Sequence, residues 1–335
     1  MESRRSILKW LVGFTTGILL AKQADASNGD NENPTELSSD RLGKLLPQRI
    51  LGRTGEAVTM LGAGGWHLGA MSERDAQETI EIALQSGVRF FDTAESYQSG
   101  GSETRMGKLL TPQYRDVIYL MTKSTAKNAD DARSHLEGSL RRLNTDYLDL
   151  WQVHSLTTPE DTDNRIAEGV FEVMAEAKAS GKVRHIGLTG HYQPAALLSA
   201  MEQSDLFDVC QMPVNLADPN YTSFINQVMP TLVEKNIGVL AMKSLANGGF
   251  FGGSFHGKHG DNPKIVPNLV SIAEAINFTW SLPISVLITG ADNPAQMQEK
   301  IDLASSFVTM DEAQREALID RVADLAGKEV EFYKA

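Results

Sequence analysis

The chain has 335 residues, 41% of them hydrophobic, which is enough to bury one large core. Its formal net charge of −12 argues against nucleic acid and anionic membrane surfaces as partners, because both are themselves negative. The one cysteine, Cys210, excludes an intramolecular disulfide and lies in an apolar run typical of a small core residue.

Residues 1–26 have the parts of a cleavable export signal. Basic residues around Arg4 and Arg5 precede an apolar stretch, residues 10–21, and a small-x-small cleavage site ends at Ala26. The apolar stretch is too short to span a bilayer, which takes about 20 residues, so no stable membrane span is expected. The paired arginines resemble a twin-arginine signal, which exports folded proteins. We therefore expect the mature protein to be periplasmic.

The next segment is polar and marks the boundary of the folded domain. Residues 27–46 are rich in Asn, Asp, Glu and Ser, a composition that cannot bury much apolar surface. The sequence therefore predicts a flexible tether over 27–46 and a folded domain over 47–335.

Strand-like and helix-like patterns alternate through that domain. The eight predicted strands are residues 60–64, 89–92, 117–122, 148–154, 185–188, 209–212, 238–242 and 286–289. Helical patterns include residues 74–85, 129–142, 166–179 and 222–235, and a further helix is predicted over 311–325. Repeated strand–helix alternation indicates an α/β fold with a parallel sheet, and right-handed crossovers permit its closure into a (β/α)8 barrel.

Four polar residues lie at or just past the ends of three consecutive predicted strands. Asp92 and Tyr97 follow the second strand, Lys123 follows the third, and His154 ends the fourth. In a (β/α)8 barrel the carboxyl ends of the strands meet at one mouth, where active sites are built. An acid, a lysine, a tyrosine and a histidine brought together can transfer a proton to a carbonyl group.

Carbonyl reduction needs a hydride on carbon and a proton on oxygen. Tyr97 can supply the proton, although a free phenol with a pKa of about 10 is a reluctant donor near neutrality. The Lys123 ammonium is expected to lower that pKa, and Asp92 to keep Lys123 charged and oriented. His154 would hydrogen-bond the carbonyl oxygen. No side chain delivers hydride, so a nicotinamide cofactor has to supply it.

These residues belong to a set of motifs that resembles the aldo-keto reductase family. The motifs are LGRTG at 51–55, LGAGGW at 61–66, FFDTAESY at 90–97, GSE at 101–103, KVRHIG at 182–187, QMPVN at 211–215 and GADNP at 290–294. The resemblance spans about residues 48 to 306. It implies a TIM barrel with an N-terminal β-hairpin and an extra C-terminal helix, a tetrad of Asp92, Tyr97, Lys123 and His154, and NAD(P)H bound across the mouth.

At the nicotinamide end, the sequence departs from the family pattern that the resemblance brings with it. The usual Ser-Asn pair reads Thr189-Gly190, while the usual Gln is retained as Gln211. Met242 replaces a stacking Tyr, and a thioether can still pack on an aromatic face. Lys243 follows and is predicted to face phosphate.

At the adenosine end, the positions that grip the 2′-phosphate in NADP-preferring members are Gly290, Ala291 and Gln296. None of them offers a cation, and Asp292 would repel a phosphate. Glu299 is retained, and Lys300 stands where Asn is common. The cofactor is therefore expected to be NAD(P)H, with NAD(H) use plausible.

On the substrate side, Trp66 matches a pocket aromatic of the family, and His191 is a candidate ligand. Ser155 stands where several members have a bulky aromatic, which predicts a roomier and more polar pocket for a small carbonyl or alcohol substrate. His256 and His259 have helical metal spacing but lie in a glycine-rich loop, residues 247–267, that is predicted to form a mobile belt over the cofactor. We assign no metal there.

Two other functions fit parts of the sequence. One is a cofactor-binding regulatory module with little turnover, which the intact tetrad disfavours. The other is a Schiff-base lyase that uses Lys123, which the dinucleotide motifs disfavour. The sequence does not indicate the physiological substrate, the direction of the reaction or the oligomeric state.

Overall fold

The structure of the protein, a computed structural model, describes residues 38–254 and 257–335. The predicted signal peptide, residues 1–26, and the first part of the predicted tether lie outside these ranges. Within them, no helix is both long and apolar enough to cross a bilayer.

Eight parallel strands form a closed barrel, in which each strand pairs with the next along the chain and the last pairs with the first. The strands are β1 (Leu61–Gly64), β2 (Phe90–Asp92), β3 (Tyr119–Ser124), β4 (Leu148–Leu156), β5 (Val183–Gly190), β6 (Val209–Pro213), β7 (Gly238–Met242) and β8 (Val286–Thr289). The predicted (β/α)8 TIM barrel is therefore confirmed.

Helices cover the outside of the barrel and follow the strands in turn. They are Gly65–Ala70, Glu73–Gln85, Gly101–Leu109, Thr111–Tyr114, Ala129–Arg142, Pro159–Ala167, Val170–Ala179, Pro194–Gln203, Phe224–Gln227, Met229–Glu234, Ile272–Trp280, Pro294–Ser305 and Glu312–Val322. The helix predicted over 129–142 matches, and its start is capped by the Asn128 side chain, which accepts a hydrogen bond from the Asp131 N–H at 2.9 Å.

Two predicted helices are each divided in the structure. The pattern over 166–179 belongs to two helices, because Gly169 between them adopts a left-handed φ of 78°. The pattern over 222–235 also contains two short helices, Phe224–Gln227 and Met229–Glu234. In both places the continuous helix predicted from periodicity was wrong.

A β-hairpin closes the N-terminal end of the barrel, as predicted. Its strands, Gln48–Ile50 and Ala57–Thr59, are antiparallel, and the 3-10 turn Gly52–Thr54 joins them. Leu51 in this connection is fully buried in the cluster that fills the barrel interior. The Arg53 N–H donates to the Asn236 carbonyl, just before β7 begins. With this end closed, the active site is expected at the carboxyl ends of the strands.

A second hairpin lies in the segment predicted as a tether. Ser39–Asp40 pairs with Gly43–Lys44, and Leu46 is buried in the main core. The Asp40 carboxylate accepts two hydrogen bonds from buried Arg89, at 2.6 and 2.9 Å, and these lower the pKa of Asp40. The last part of the predicted tether, residues 39–46, is thus folded against the barrel, because charge pairing and Leu46 outweigh its polar composition.

The glycine-rich segment after β7, predicted as a mobile belt over the cofactor, contains short elements of secondary structure. It contains the 3-10 turn Ala246–Phe251 and a short hairpin, Gly252–Ser254 with Gly257–His259. Phe250 is fully buried in a second apolar cluster, which also contains Val330 and Tyr333. The first part of the segment therefore packs against the C-terminus of the chain.

Candidate active site

The structure brings three of the four predicted tetrad residues into direct contact at the mouth of the barrel. Asp92 ends β2, Lys123 lies near the end of β3, and Tyr97 begins a 3-10 turn after β2. The Lys123 ammonium forms an ion pair with Asp92, donates to the Thr93 carbonyl at 2.8 Å, and donates to the Tyr97 hydroxyl at 3.2 Å. Lys123 and Asp92 are almost completely buried. One ammonium is therefore shared between a carboxylate and a phenol.

This arrangement keeps Lys123 charged. Burial alone lowers the pKa of a lysine, but the neighbouring Asp92 carboxylate and Tyr97 outweigh burial, so the pKa of Lys123 is raised. Asp92 therefore holds the ammonium protonated and fixes its position.

The pKa of Tyr97 is raised rather than lowered, so the expected direction was wrong. Burial raises it most, and the Lys123 ammonium lowers it by less. Lys123 thus acts in the predicted sense, but removal of the phenolate from water has the larger effect. The phenol stays neutral near pH 7 and keeps the proton that it would donate.

His154, near the end of β4, lies beside Tyr97. Their ring centroids are 5.7 Å apart and nearly perpendicular, and the Ser96 hydroxyl lies 3.5 Å from His154 Nδ1. Burial lowers the pKa of His154 well below its usual value, and the nearby Lys123 and His191 lower it further. A neutral imidazole can donate one N–H to a carbonyl oxygen beside the Tyr97 hydroxyl.

Arg165 holds the backbone at His154, a role that we did not predict. This buried guanidinium donates to the His154 carbonyl at 3.0 Å and to the Ser155 carbonyl at 3.2 Å. Asp161, one helical turn earlier, pairs with it at 3.0 Å. Ser155 has a left-handed φ of 57°, so the strand bends sharply at this point. Two sequence signals could have indicated this role: Thr158-Pro159 marks the start of a helix, and Asp161 and Arg165 are an i,i+4 pair of opposite charge within it.

The residues predicted to hold nicotinamide lie on adjacent strands. Thr189 in β5 and Gln211 in β6 are register partners, and both are buried. The Gln211 side-chain oxygen accepts a hydrogen bond from Gln152 at 3.0 Å, which orients the amide. Met242 ends β7 and is partly exposed. Polar groups on β5 and β6, with a thioether two residues further along β7, suit a flat ring that carries an amide.

At the adenosine end, a histidine that we did not predict covers Gly290. A Cβ added at Gly290 would lie 2.1 Å from the His67 ring, so a side chain at this position would require the His67 ring to move. His67 lies on the helix after β1, and its Nε2 is 3.8 Å from an Asp292 carboxylate oxygen. No local pattern marks this contact, because the two residues are far apart in sequence.

The other predicted adenosine-end residues already have partners within the chain. The Gln296 side chain accepts a hydrogen bond from the Asp292 N–H at 2.9 Å. Glu299 is paired with Lys300, whose side chain is buried. Ala291 is buried. None of these side chains extends a cation toward a ligand.

The predicted pocket residues border the tetrad. The Trp66 side chain is 44% exposed, and its carbonyl accepts from Gln98 at 3.2 Å in the turn that follows Tyr97. Burial and the nearby Lys243 ammonium lower the pKa of His191 to about 3, so this imidazole is neutral. Tyr333, which was not predicted, lies beside His191, with the two ring centroids 6.2 Å apart.

Among the described residues, no three His, Cys, Asp or Glu side chains are arranged to hold a metal. His256, one of the two histidines considered for metal spacing, lies outside the described ranges, whereas the ring of His259 packs 5.2 Å from Phe251.

Comparisons with known proteins agree with this architecture. The "Aldo-keto reductase YhdN" of Bacillus subtilis is 32% identical over 219 residues, which are 58% of this chain and 61% of that protein. The "6-dehydroglucose reductase" of Novosphingobium aromaticivorans is 33% identical over 161 residues, 42% of this chain and 50% of that protein. These alignments thus span about half to three fifths of the relatives' lengths.

A solved structure of the aldo-keto reductase AKR11C1 from Bacillus halodurans (holo form) has the same fold. It superposes with a TM-score of 0.69 and 22% identity, covering 82% of this chain and 96% of the other. The family model described as "Aldo/keto reductase family" matches residues 60–318. That range contains the whole barrel and the four residues at its mouth, and the chain belongs to the aldo/keto reductase family.

Proposed function

We propose that the protein is an NAD(P)-dependent oxidoreductase that reduces an aldehyde or ketone, or oxidises the matching alcohol. The observation that carries this proposal is the shared contact of Lys123 with Asp92 and the Tyr97 hydroxyl. A buried phenol hydrogen-bonded to a charged ammonium can give up a proton and have the resulting negative charge stabilised.

Each tetrad residue has a separate role in this proposal. Tyr97 donates the proton to the carbonyl oxygen, and Lys123 stabilises the phenolate that forms. Asp92 keeps Lys123 charged, and neutral His154 hydrogen-bonds the same carbonyl oxygen. The hydrogen bonds from Arg165 to the strand end hold His154 at the required angle.

The dinucleotide would be held by residues on neighbouring strands. Thr189 and Gln211, register partners on adjacent strands, would bind the carboxamide, and Met242 at the end of β7 would pack on the ring. When bound, NAD(P)H supplies the hydride, which no side chain can provide. The structure of a Klebsiella pneumoniae aldo-keto reductase in complex with NADPH, which has the same fold with a TM-score of 0.65, supports this assignment.

The test is a screen of aldehydes and ketones with NADH and with NADPH, followed by nicotinamide absorbance. We expect turnover of small oxygenated carbonyls. Ser155 is a small polar residue next to His154, and relatives include a 6-dehydroglucose reductase and a methylglyoxal reductase. Dinucleotide binding without turnover of any carbonyl or alcohol would instead favour a regulatory module.

The Schiff-base alternative is disfavoured by the state of Lys123. Imine formation needs a neutral amine, but the Asp92 carboxylate keeps the Lys123 ammonium charged and raises its pKa. Borohydride trapping with substrate would therefore leave Lys123 unlabelled.

We expect NAD(H) to bind at least as tightly as NADP(H). Neither Gly290 nor Gln296 offers a cation to the 2′-phosphate, the Gln296 side chain accepts a hydrogen bond from the Asp292 N–H, and the His67 ring lies over Gly290. Gly290→Lys alone should recruit NADP(H) less well than the same change combined with His67→Ala, because the His67 ring has to move to make room for the new side chain. The triple variant His67→Ala, Gly290→Lys and Gln296→Arg should gain about 1–3 kcal/mol per charge-assisted contact with the 2′-phosphate.

Titration of both dinucleotides by quenching of protein fluorescence measures these affinities. His67→Ala serves as the control, because it opens the space without adding a cation. A wild-type affinity for NADPH more than about tenfold above that for NADH would show that the phosphate is gripped from another part of the mouth.

For localisation, we propose export of the folded protein to a periplasm by the twin-arginine route. The support is the order of basic, apolar and small-x-small segments in residues 1–26. Export after folding also allows the dinucleotide to be loaded in the cytoplasm.

Replacing Arg4 and Arg5 together by Lys should block this export and leave uncleaved precursor in the cytoplasm. The charge is kept and only the arginine pair is lost, so a charge effect is excluded. Cell fractionation and the mass of the product measure the outcome, with Lys9→Arg as the control. An unchanged yield of mature periplasmic protein would indicate a general secretory signal instead.

A further inference from the structure

Lys243 directly follows β7 and is held in an unusual backbone conformation. Its backbone φ of 57° lies in the left-handed region, which residues other than glycine rarely adopt. The Lys243 carbonyl accepts from the Ala246 N–H at 2.8 Å and from the Asn215 side chain at 3.4 Å, which fix this turn. The turn directs a lysine into the mouth at the cost of local strain, and strain of this kind collects at ligand sites.

The ammonium of Lys243 lacks the carboxylate partner that the buried lysines have. Among the described residues, Lys123, Lys300 and Lys334 each form an ion pair with Asp or Glu. The Lys243 ammonium forms no such pair with a described residue, and it lies over the face of the Tyr333 ring, 5.0 Å from the centroid. Burial, with the nearby Lys123 ammonium, lowers the pKa of Lys243 to about 8. Lys243 is partly buried, and a partly buried cation without a counter-ion is well placed to pair with a negative charge that a ligand supplies.

The charge lies beside the reaction centre. The Lys243 ammonium and the His191 ring both face the Tyr333 ring, at 5.0 Å and 6.2 Å from its centroid, and the ammonium contributes to lowering the pKa of both His154 and His191. His191 is neutral and can donate an N–H, and the Tyr333 ring forms an apolar wall next to both residues. A cation, a neutral donor and a flat wall form a suitable site for a planar carboxylate.

We propose that Lys243 binds a carboxylate of the substrate, with His191 as a second donor, so that the preferred substrates are carbonyl compounds that carry an acid group. This inference rests on the proposed function and names the substrate class of the same site. It assigns Lys243 to the substrate rather than to a dinucleotide phosphate, because Lys243 and the pocket residue His191 face the same Tyr333 ring.

The experiment compares acids with their methyl esters, which differ in charge and little in shape. The four probes are 4-formylbenzoate, succinic semialdehyde and the methyl ester of each. For the wild type we expect kcat/KM to be higher for each acid than for its ester. In Lys243→Met the acid-to-ester ratio should fall about tenfold to a hundredfold, and Lys243→Arg should restore most of it. Lys182→Met, which removes an exposed lysine paired with Glu137, should keep the wild-type ratio.

Dinucleotide affinity, measured by fluorescence quenching, decides between the two sources of negative charge. Unchanged affinity in Lys243→Met together with a reduced acid-to-ester ratio supports the proposal. Weaker dinucleotide binding with equal losses for acid and ester would overturn it and assign Lys243 to a phosphate. A wild type that prefers the esters would also overturn it.

Failure of the proposed function gives a different result. If the wild type turned over none of the four probes, calorimetric binding of 4-formylbenzoate to the dinucleotide-loaded protein would still test Lys243. Binding lost in Lys243→Met and regained in Lys243→Arg supports a carboxylate site without turnover. Binding that is absent in the wild type, or that is independent of Lys243, overturns the inference.

Discussion

Tyr97→Phe is expected to abolish most turnover while leaving dinucleotide affinity nearly unchanged. The hydroxyl is used in the transition state, where its proton moves to the carbonyl oxygen, and loss of such a group typically costs about two to four powers of ten in rate. Steady-state kinetics of carbonyl reduction measure the loss, and fluorescence titration measures dinucleotide affinity.

Tyr97→Phe should remove the proton donor without disturbing the other contacts of the site. The Tyr97 hydroxyl is 3.2 Å from Lys123, but the ammonium keeps its ion pair with Asp92 and its bond to the Thr93 carbonyl when the hydroxyl is removed. The site should therefore stay assembled, with unfolding temperature little changed. Tyr114→Phe, a substitution away from the mouth, is the matched control. Retention of more than about a tenth of wild-type activity, an effect under about 1.4 kcal/mol, would exclude Tyr97 as the donor.

The grouping of Asp92, Lys123 and His154 could be predicted because each lies at or near the end of its own buried strand. Once eight strand patterns are recognised, a closed parallel barrel brings Asp92, Lys123 and His154 to the same mouth. Strand bounds were also predictable: β7 and β8 match the predicted residues, since short apolar runs between turn residues leave little choice.

The remainder of the site depends on contacts between residues that are far apart in sequence. His67 over Gly290 and Tyr333 beside His191 join opposite parts of the chain, and no local pattern marks either pair. The raised pKa of Tyr97 was missed for a related reason. Its sign depends on how completely the phenol is removed from water, which the sequence does not indicate, whereas the opposing effect of Lys123 follows from proximity alone.

Two buried ion pairs could not be predicted either, because their charged residues lie in segments whose composition is polar. The predicted tether contains Asp40, which pairs with buried Arg89, and the C-terminal residues contain Lys334, whose side chain is fully buried. In both cases a charged residue that normally indicates solvent exposure is buried because an opposite charge from a distant segment meets it.

Lys334→Met is expected to lower the free energy of unfolding by about 3–5 kcal/mol, the usual cost of removing one member of a buried ion pair. The Lys334 ammonium lies 2.6 Å from Asp218 and 2.8 Å from Glu331, and all three side chains are fully buried. Methionine keeps much of the volume but leaves two carboxylates without a cation. Urea unfolding followed by tryptophan fluorescence measures the change.

The loss should depend on pH in a defined direction. Burial raises the pKa of Glu331, although the Lys334 ammonium opposes this. Without Lys334, the folded-state pKa of Glu331 rises further above its unfolded value. As pH rises from the unfolded-state pKa toward the folded-state pKa, Glu331 ionises in the unfolded chain but not in the folded protein. The free energy of unfolding therefore falls over this pH range. The variant should therefore recover stability relative to the wild type at mildly acidic pH, where Glu331 is protonated.

Two further variants separate charge from packing in this cluster. Lys182→Met removes an exposed lysine paired with Glu137 and should change stability by no more than about 1 kcal/mol. The triple variant Asp218→Asn, Glu331→Gln and Lys334→Met removes all the charge and should recover much of the loss, because amides cost less to bury than unpaired carboxylates. If the triple variant were as unstable as Lys334→Met and the loss did not vary with pH, the contribution of Lys334 would lie in its packing. The C-terminus would then be held over the barrel mouth by apolar contacts such as that of Val330 with the Phe250 cluster.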